Sequence, residues 1–258
     1  MDRIYIPTLG RSNKQITFDS MTPSAQNITT LVVQPKEKDL YPNYPTIVLP
    51  DNDIGITETR RWIYKNSMDM KYGVFDDDLK FTRRTPGGEK SKRLMNDDDW
   101  KYVLSETTKW LDEVDFAGFR QGNLPPAGVE FIDIASVNCA FFFNGKKIPD
   151  ESELDWSLPV CEDIHMVLQL FGKGYTNRIW AEFGYLSDIL VDGGCNEWRT
   201  LELINNTHAK LIEIYPHHVE WNGIKENVMG GDFKKIKIKW KRMYTHPPGS
   251  NLDKYFGE

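Results

Sequence analysis

Apolar residues recur along this chain in two periods. The runs Arg3 to Leu9, Thr30 to Gln34 and Thr46 to Pro50 are short, rich in Ile and Val, and separated by polar connections, which predicts three strands. From Gly55 to Asn66 the apolar positions shift to helical spacing, with Thr57 or Thr59 available near the N-terminus of the helix. A further apolar run, Tyr72 to Phe75, reads as a buried strand and stops abruptly in Asp76, Asp77 and Asp78. Strands alternating with connections and a helix imply a largely parallel sheet with crossovers, and such sheets bind ligands beyond the carboxyl ends of their strands. Arg11 and the aspartates both sit at such ends, so they are expected to meet despite their separation in the chain.

Beyond the aspartates, Thr82 to Asp99 is charged and glycine-containing and reads as an exposed, mobile loop. Asp99 to Asp112 predicts an amphipathic helix. Phe116 to Phe119 and Phe131 to Phe143 predict strands, the second running into a turn at Asn144 and Gly145. Glu162 to Gly174 predicts another helix, closed by its glycine. Phe233 to Arg242 alternates lysines with Ile236, Ile238 and Trp240, as in a strand with one basic and one apolar face. No internal repeat or domain boundary is evident, so residues 1–258 are expected to form one domain.

Composition narrows the class. A chain of 258 residues with 40% hydrophobic and 12% aromatic residues can bury a sizeable core. Its net charge of −6 advertises no global field for nucleic acid, although a local basic groove remains compatible with it. Cys139, Cys161 and Cys195 are far apart and odd in number, which argues against a disulfide framework or a zinc site. The N-terminus lacks a signal-peptide pattern, and no stretch approaches the roughly 20 apolar residues of a membrane helix. A soluble, cytoplasmic protein is the expectation.

The acidic cluster carries the chemistry. Carboxylates at the end of a buried strand are costly unless cations or hydrogen-bond donors compensate them. In an extended or turning segment alternate residues project to one side, so Asp76 and Asp78 can face one Mg²⁺ or Mn²⁺ ion, which in turn holds substrate phosphates. A solvated acidic turn is the other reading. Asp97, Asp98 and Asp99 repeat the same letters before a helix, where N-capping by Asp99 or Asp98 accounts for them. Glu162 and Asp163 open a helix; acids there suit the macrodipole, or one of them is a general base beside a phosphate site. The five histidines show no metal-ligand spacing. The C-terminal lysines read as a protected edge strand or, with the loop from Arg83 to Arg93, as a positive flank for a phosphate backbone.

Taken in order, these features resemble GT-A glycosyltransferases. The resemblance rests on the first strand with its polar turn (Ile4 to Ser12), Gly55 to Arg60 opening a helix, the strand ending in Asp76 to Asp78, and Glu162–Asp163 with Gly174–Tyr175 downstream. It covers roughly residues 1 to 185 as a pattern. Within that group, the Ile-Pro-Thr-Leu-Gly-Arg-Ser and Phe-Asp-Asp-Asp-Leu segments look most like the phage glycosyltransferases that accompany TET/JBP-type base hydroxylases. The resemblance implies a Rossmann-like α/β fold with a mostly parallel central sheet flanked by helices and a mixed C-terminal part. It implies a nucleotide-sugar-binding half (1–100) and an acceptor-binding half (101–258). Asp76 and Asp78 would hold Mn²⁺ or Mg²⁺ on the diphosphate of a nucleotide-sugar donor, and Asp77 would contact its ribose or sugar. Thr8, Gly10, Arg11 and Arg60 or Arg61 would lie near the donor, and Asp163, with Glu162 beside it, would be the base of an inverting enzyme.

The expected reaction is metal-dependent sugar transfer to a hydroxyl, with the hydroxymethyl group of a modified pyrimidine in DNA as acceptor and Arg83, Arg84, Lys237 and Lys239 as DNA contacts. A glycan or small-molecule acceptor, a Mg²⁺-dependent nucleotidyltransferase, and a non-catalytic DNA-binding module are the alternatives. Oligomeric state is not readable.

Overall fold

The computed structural model describes residues 1–84, 92–187, 199–226 and 231–248. The chain begins with β1 (Arg3–Pro7), α1 (Ile16–Ser20), α2 (Pro23–Gln26), β2 (Thr29–Val33) and β3 (Thr46–Val48). It continues through α3 (Ile56–Lys65), β4 (Lys71–Phe75), β5 (Leu79–Arg84), β6 (Lys92–Leu94) and α4 (Asp97–Glu113). β7 (Phe116–Gln121), β8 (Phe131–Asp133), β9 (Ala140–Asn144), α5 (Glu162–Gly172) and β10 (Asn177–Ser187) follow. The chain then forms α6 (Leu201–Ile214), β11 (Val219–Glu226), β12 (Asp232–Ile238) and α7 (Trp240–Thr245).

One sheet of ten strands runs through most of the molecule in the order β3-β2-β1-β4-β9-β7-β10-β5-β6, with β8 paired to the first half of β10. β3, β2, β1 and β4 are mutually parallel, and β7 is parallel to β10. The reversed β9 sits between β4 and β7, so the sheet crosses both expected halves of the chain without a break. β11 and β12 form a separate antiparallel ribbon.

Alternation along the strands sends successive side chains to opposite faces, and two cores result. Tyr72, Val74, Phe141 and Phe143 pack on one face against Ile63 and Tyr64 of α3, Met166 and Phe171 of α5 and Leu211 of α6. Ile4, Ile6, Phe75 and Phe142 pack on the other against Ala25 of α2 and Trp100, Val103 and Leu111 of α4. The result is a sheet covered by helices on both sides, as the strand and helix periodicities require.

Four local expectations are corrected. Thr82–Arg84 and Lys92–Leu94 are not loop: they pair as β5 and β6, because β10 offers an edge that the local charge pattern does not reveal; residues 85–91 lie outside the described ones. Neither Asp98 nor Asp99 is the N-cap of α4. Asn96 is, accepting from Asp99 N while the Asp99 carboxylate accepts from Asn96 N. The α3 N-cap is Gly55, and the hydroxyls of Thr57 and Thr59 donate instead to the carbonyls of Leu158 and Gly55.

The fourth concerns Phe131 to Phe143, which is two strands rather than one. β8 pairs with β10 and β9 inserts between β4 and β7, with left-handed residues at Ile134 (φ 52°) and Cys139 (φ 62°) in the loop between them. That loop lies directly on the sheet: a Cβ on Gly118 would come within 2.3 Å of Val137 Cγ2 and 2.6 Å of the Ala140 carbonyl. Gly118→Ala is therefore expected to cost about 1–3 kcal/mol, a fall in melting temperature of roughly 2–12 °C for a chain of this size. An unchanged melting curve would mean that the loop lifts freely.

Candidate functional site

The site forms where β1 and β4 end side by side. After β1 the chain turns through Gly10 (φ 67°), whose N–H donates to Glu37 Oε1 at 2.8 Å, and tucks Arg11 beneath the turn. The Gln15 amide holds this turn, donating to the Arg11 carbonyl (2.6 Å) and to Thr8 Oγ1 (3.1 Å). Thr8 Oγ1 donates to Asp77 Oδ2 at 2.7 Å, and Arg11 forms an ion pair with the other oxygen of the same carboxylate.

The aspartate turn is clamped from a second side. Thr17 N–H donates to the Asp77 carbonyl, and its hydroxyl donates to the Asp76 carbonyl while accepting from Leu79 N. Asp76 N–H donates to the Cys139 carbonyl at 2.8 Å. Asp77 is thereby turned inward, and its two neighbours turn towards solvent. Their side chains retain 28% (Asp76) and 20% (Asp78) of their exposure.

Each carboxylate meets a different environment. Burial raises Asp77 to about 7 against the pull of Arg11 and Thr8. Asp78, 3.5 Å from Arg11, is pushed up to about 6 by burial and by Asp76. Asp76 pairs with Arg60 of α3, whose guanidinium also lies 3.0 Å from Glu162 Oε1 and over the ring of Phe141. Burial alone would weaken the charge on Arg60, and Asp76, Glu162 and Asp163 together more than reverse this. Arg60 thus ties the end of β4 to the start of α5 across about a hundred residues of chain.

α5 begins abruptly. Its N-cap, Cys161, holds the left-handed conformation (φ 56°), a strained position for a residue with a Cβ, and this kink presents Glu162 and Asp163 in the first turn. Glu162 is almost fully covered, and burial pushes it up to about 7 in spite of Arg60. Asp163 is half-buried; Oδ1 accepts from Ile164 N at 2.8 Å, and Oδ2 meets no hydrogen-bond donor among the described residues. The Cys139 thiol and the Tyr185 hydroxyl lie beside it, the latter donating to Asn138 Oδ1 at 2.8 Å; burial, reinforced by the charges of Asp76 and Asp163, keeps both of these groups in their neutral forms.

Glu162 makes the pH dependence testable. The native state binds its proton more tightly than the unfolded chain, so stability from this group is full below about 4.5 and is drawn out as the pH rises through about 7. The melting temperature of wild type relative to Glu162→Gln is expected to fall across that window. A constant difference from pH 4 to 8 would overturn the assignment.

The remaining candidates lie apart from this cluster. Arg61 points away to Glu151 and Glu58 on the outer side of α3, because the adjacent helical position faces a different direction. Arg83 is occupied by Asp99 (2.8 Å) and Glu182 (2.7 Å) and lies over Phe183, so its place is within the protein. Arg84 reaches the carbonyls of Gly122 and Leu124. Lys237 and Lys239 both pair with Glu220 on the β11–β12 ribbon. His208 and His218 bond the carbonyls of Lys234 and His246. Cys139 and Cys161 are free, and Cys195 lies outside the described residues. Thr17, Gln15, Glu37, Cys139 and Tyr185 were missed by sequence reasoning, as single polar residues in apolar surroundings carry no motif.

Among the described residues no group of three His, Cys, Asp or Glu side chains is placed to enclose a metal ion. Asp76 and Asp78 nevertheless fit a hard divalent cation. They are the two partly exposed oxygen donors of the turn, and Mg²⁺-like ions take one or two carboxylates with phosphate and water filling the other positions. No helix of the described residues is long and apolar enough to cross a membrane.

Comparison with known proteins assigns the sequence to a family. Among curated proteins the chain has no match. The crystal structure of Staphylococcus aureus TarS 1-349 in complex with UDP superposes with a TM-score of 0.44 at 13% identity, covering 82% of this chain and 66% of that one. The inositol-1-phosphate CTP transferase from T. maritima gives a TM-score of 0.40 at 13% identity, over 73% of this chain and 90% of that one. The present chain thus spans just under two thirds of the TarS fragment, and these distant likenesses support no residue-level correspondence. The sequence profile described as "TET-Associated Glycosyltransferase" matches residues 3–194, well over half the chain and every element from β1 through β10. The chain belongs to the TET-associated glycosyltransferase family.

Proposed function

We propose that this protein transfers a sugar from a nucleotide-diphosphate sugar to the hydroxymethyl group of a modified pyrimidine in DNA, with inversion at the sugar carbon. The observation that carries the reading is the chain Asp76–Arg60–Glu162, which brings the acidic turn and the Glu–Asp pair to one site with Asp163 beside it. Asp76 and Asp78 would hold Mn²⁺ or Mg²⁺, which when bound offsets charge on the departing diphosphate. Arg11 and Thr8 hold Asp77 in place inside the turn. Asp163 takes the proton of the acceptor hydroxyl, since its Oδ2 is open to an incoming group and Glu162 is committed to Arg60. A hydroxymethyl group in duplex DNA has to leave the stack to reach this depth.

The test is a panel of nucleotide-sugars with Mn²⁺ and a hydroxymethylated oligonucleotide, reading nucleoside diphosphate release and the mass of the DNA. Both are expected to rise together. Diphosphate release without a gain in DNA mass would remove the DNA acceptor, and pyrophosphate release would indicate nucleotidyl transfer. Asp78→Asn is expected to weaken Mn²⁺-dependent donor binding by about tenfold or more, the cost of losing one charged ligand. Calorimetric donor binding with and without Mn²⁺ measures it; equal affinities for wild type and variant in Mn²⁺ would remove the metal role.

A further inference from the structure

The β11–β12 ribbon stands apart from the main sheet and beyond residue 194, where the family match ends, so nothing about it follows from the family assignment. Its register sets Trp221 opposite Ile236 and Ile224 opposite Lys234. Alternation then puts Val219, Trp221 and Ile224 on one face with Ile238, Ile236 and Lys234. Part of that face is used, since Val219, Ile236 and Ile238 pack on the core. The rest is uncovered. Trp221 keeps 47% of its exposure and Ile224 keeps 61%. Lys234 Nζ lies 6.0 Å from the centre of the Trp221 ring, the outer limit of a cation–π contact.

Charge indicates the partner. Residues 219–242 hold seven Lys and Arg against three Asp and Glu, on a chain whose net charge is −6. Lys237 and Lys239 are answered by Glu220. Lys225 and Lys234 are exposed and form no ion pair among the described residues. Lysines on a ribbon often blunt an edge against further strands, but at β12 that need is already met. Asn205 of α6 donates to the Asp232 carbonyl and accepts from Lys234 N–H, and His208 bonds the Lys234 carbonyl. With that edge covered, the side-chain face is what remains to bind a partner. An indole beside uncommitted lysines suits single-stranded nucleic acid, with a base stacked on the ring and phosphates on the ammonium groups. A membrane surface holds a protein in proportion to apolar area, and two side chains offer little.

The ribbon is tied to the helix that carries the proposed base. α7 follows β12 directly, and its Trp240 and Tyr244 pack on Phe171 of α5 with ring centres 6.2 and 6.3 Å away. Phe171 is eight residues past Asp163 on that helix, about 12 Å along its axis. Chain geometry thus bounds the path from Asp163 to the exposed ribbon face at roughly 50 Å, which a strand of about 20 nucleotides spans.

We infer that the Trp221–Ile224–Lys234 face of the ribbon binds a single-stranded stretch of the nucleic-acid acceptor, away from the nucleotide that is modified. This rests on the DNA-acceptor reading above. Such a contact raises the effective concentration of a polymeric acceptor at the site and does nothing for a free nucleoside.

The experiment compares the full-length wild type with Trp221→Ala, Trp221→Phe and Lys225→Gln/Lys234→Gln. Each is given a single-stranded hydroxymethylated oligonucleotide of about 20 nucleotides and the free hydroxymethylated nucleoside, over a range of salt. Vesicles containing an anionic phospholipid, and sedimentation of the protein alone, form two further arms. Trp221→Ala is expected to weaken oligonucleotide binding about fivefold or more, the loss of one base stack, and Trp221→Phe to retain most of the affinity. The lysine variant is expected to lower the log–log salt slope of binding by about one to two. Nucleoside transfer and donor affinity are expected to stay at wild-type values in all three. Unchanged oligonucleotide affinity in Trp221→Ala would overturn the inference. Equal losses on oligonucleotide and nucleoside would give the ribbon a structural role and overturn it too. So would a Trp221→Ala variant that loses only vesicle binding or only self-association, which would assign the face to a membrane or to a second copy of the chain. In each of these cases a wild type that still modifies DNA keeps the acceptor reading. A wild type that neither binds nor modifies the oligonucleotide removes both.

Discussion

Asp163→Asn is expected to lower the rate of sugar transfer by roughly 10²- to 10⁴-fold, the usual contribution of a positioned general base. Donor affinity is expected to stay within about twofold, because the lost interaction belongs to the transition state. The argument turns on the contrast between adjacent acids. Glu162 is nearly covered, bound to Arg60 and pushed up to about 7, so at neutral pH it is partly protonated and already engaged. Asp163 spends one oxygen on Ile164 N, and the other meets no hydrogen-bond donor among the described residues. Asparagine keeps the shape and the first of these bonds but cannot take a proton. Single-turnover transfer to a hydroxymethylated oligonucleotide, with donor binding measured by calorimetry, separates the two effects. A variant that transfers sugar at the wild-type rate would end the assignment of Asp163 as base.

The second large effect is on stability. Removing Arg60 by Arg60→Ala leaves Asp76 and Glu162 facing each other without their shared cation. Breaking a buried ion pair on one side costs about 3–5 kcal/mol, or roughly 6–20 °C in melting temperature for a chain of this size. The loss is expected to be largest above pH 7, where Glu162 would otherwise be charged, and smaller near pH 5, where protonation removes part of the repulsion. Arg60→Lys is expected to recover only part of it, since an ammonium cannot span two carboxylates as a guanidinium does. Mn²⁺ is expected to raise the melting temperature of Arg60→Ala more than that of wild type, through the carboxylate of Asp76. Thermal melts across pH 5–8, with and without the ion, measure all of this. A pH-independent loss would mean that Arg60 acts through packing on Phe141 rather than through its charge.

These expectations were unequally visible in the chain. The approach Tyr72 to Phe75 and the acids after it could be read directly, because a buried strand ending in carboxylates has few inexpensive explanations. Arg11 was legible for the same reason, as a cation in the turn after the first strand. The choice between Arg60 and Arg61 was not, because one step along a helix turns a side chain by about 100° and only the direction of the sheet distinguishes them. Asp77 carries the same letter as its two neighbours, and only the fold shows that it faces Arg11 and Thr8 inside the protein. The basic residues were the least legible. Arg83 and Arg84 are neighbours in sequence, but alternation on β5 sends one to Asp99 and Glu182 and the other to the carbonyls of Gly122 and Leu124. Lys92 meets Arg84 only through strand pairing.

Local sequence by itself determined the period of most elements, the parallel first half of the sheet and the presence of an acidic turn at a strand end, since these depend on side chains within a few residues of one another. Tertiary structure alone decided where Phe131 to Phe143 breaks, that β5 and β6 extend the sheet, and which cation answers which carboxylate. Those outcomes depend on partners far away in the chain, and a pairing edge or a counter-charge leaves no mark on the period of the segment that meets it.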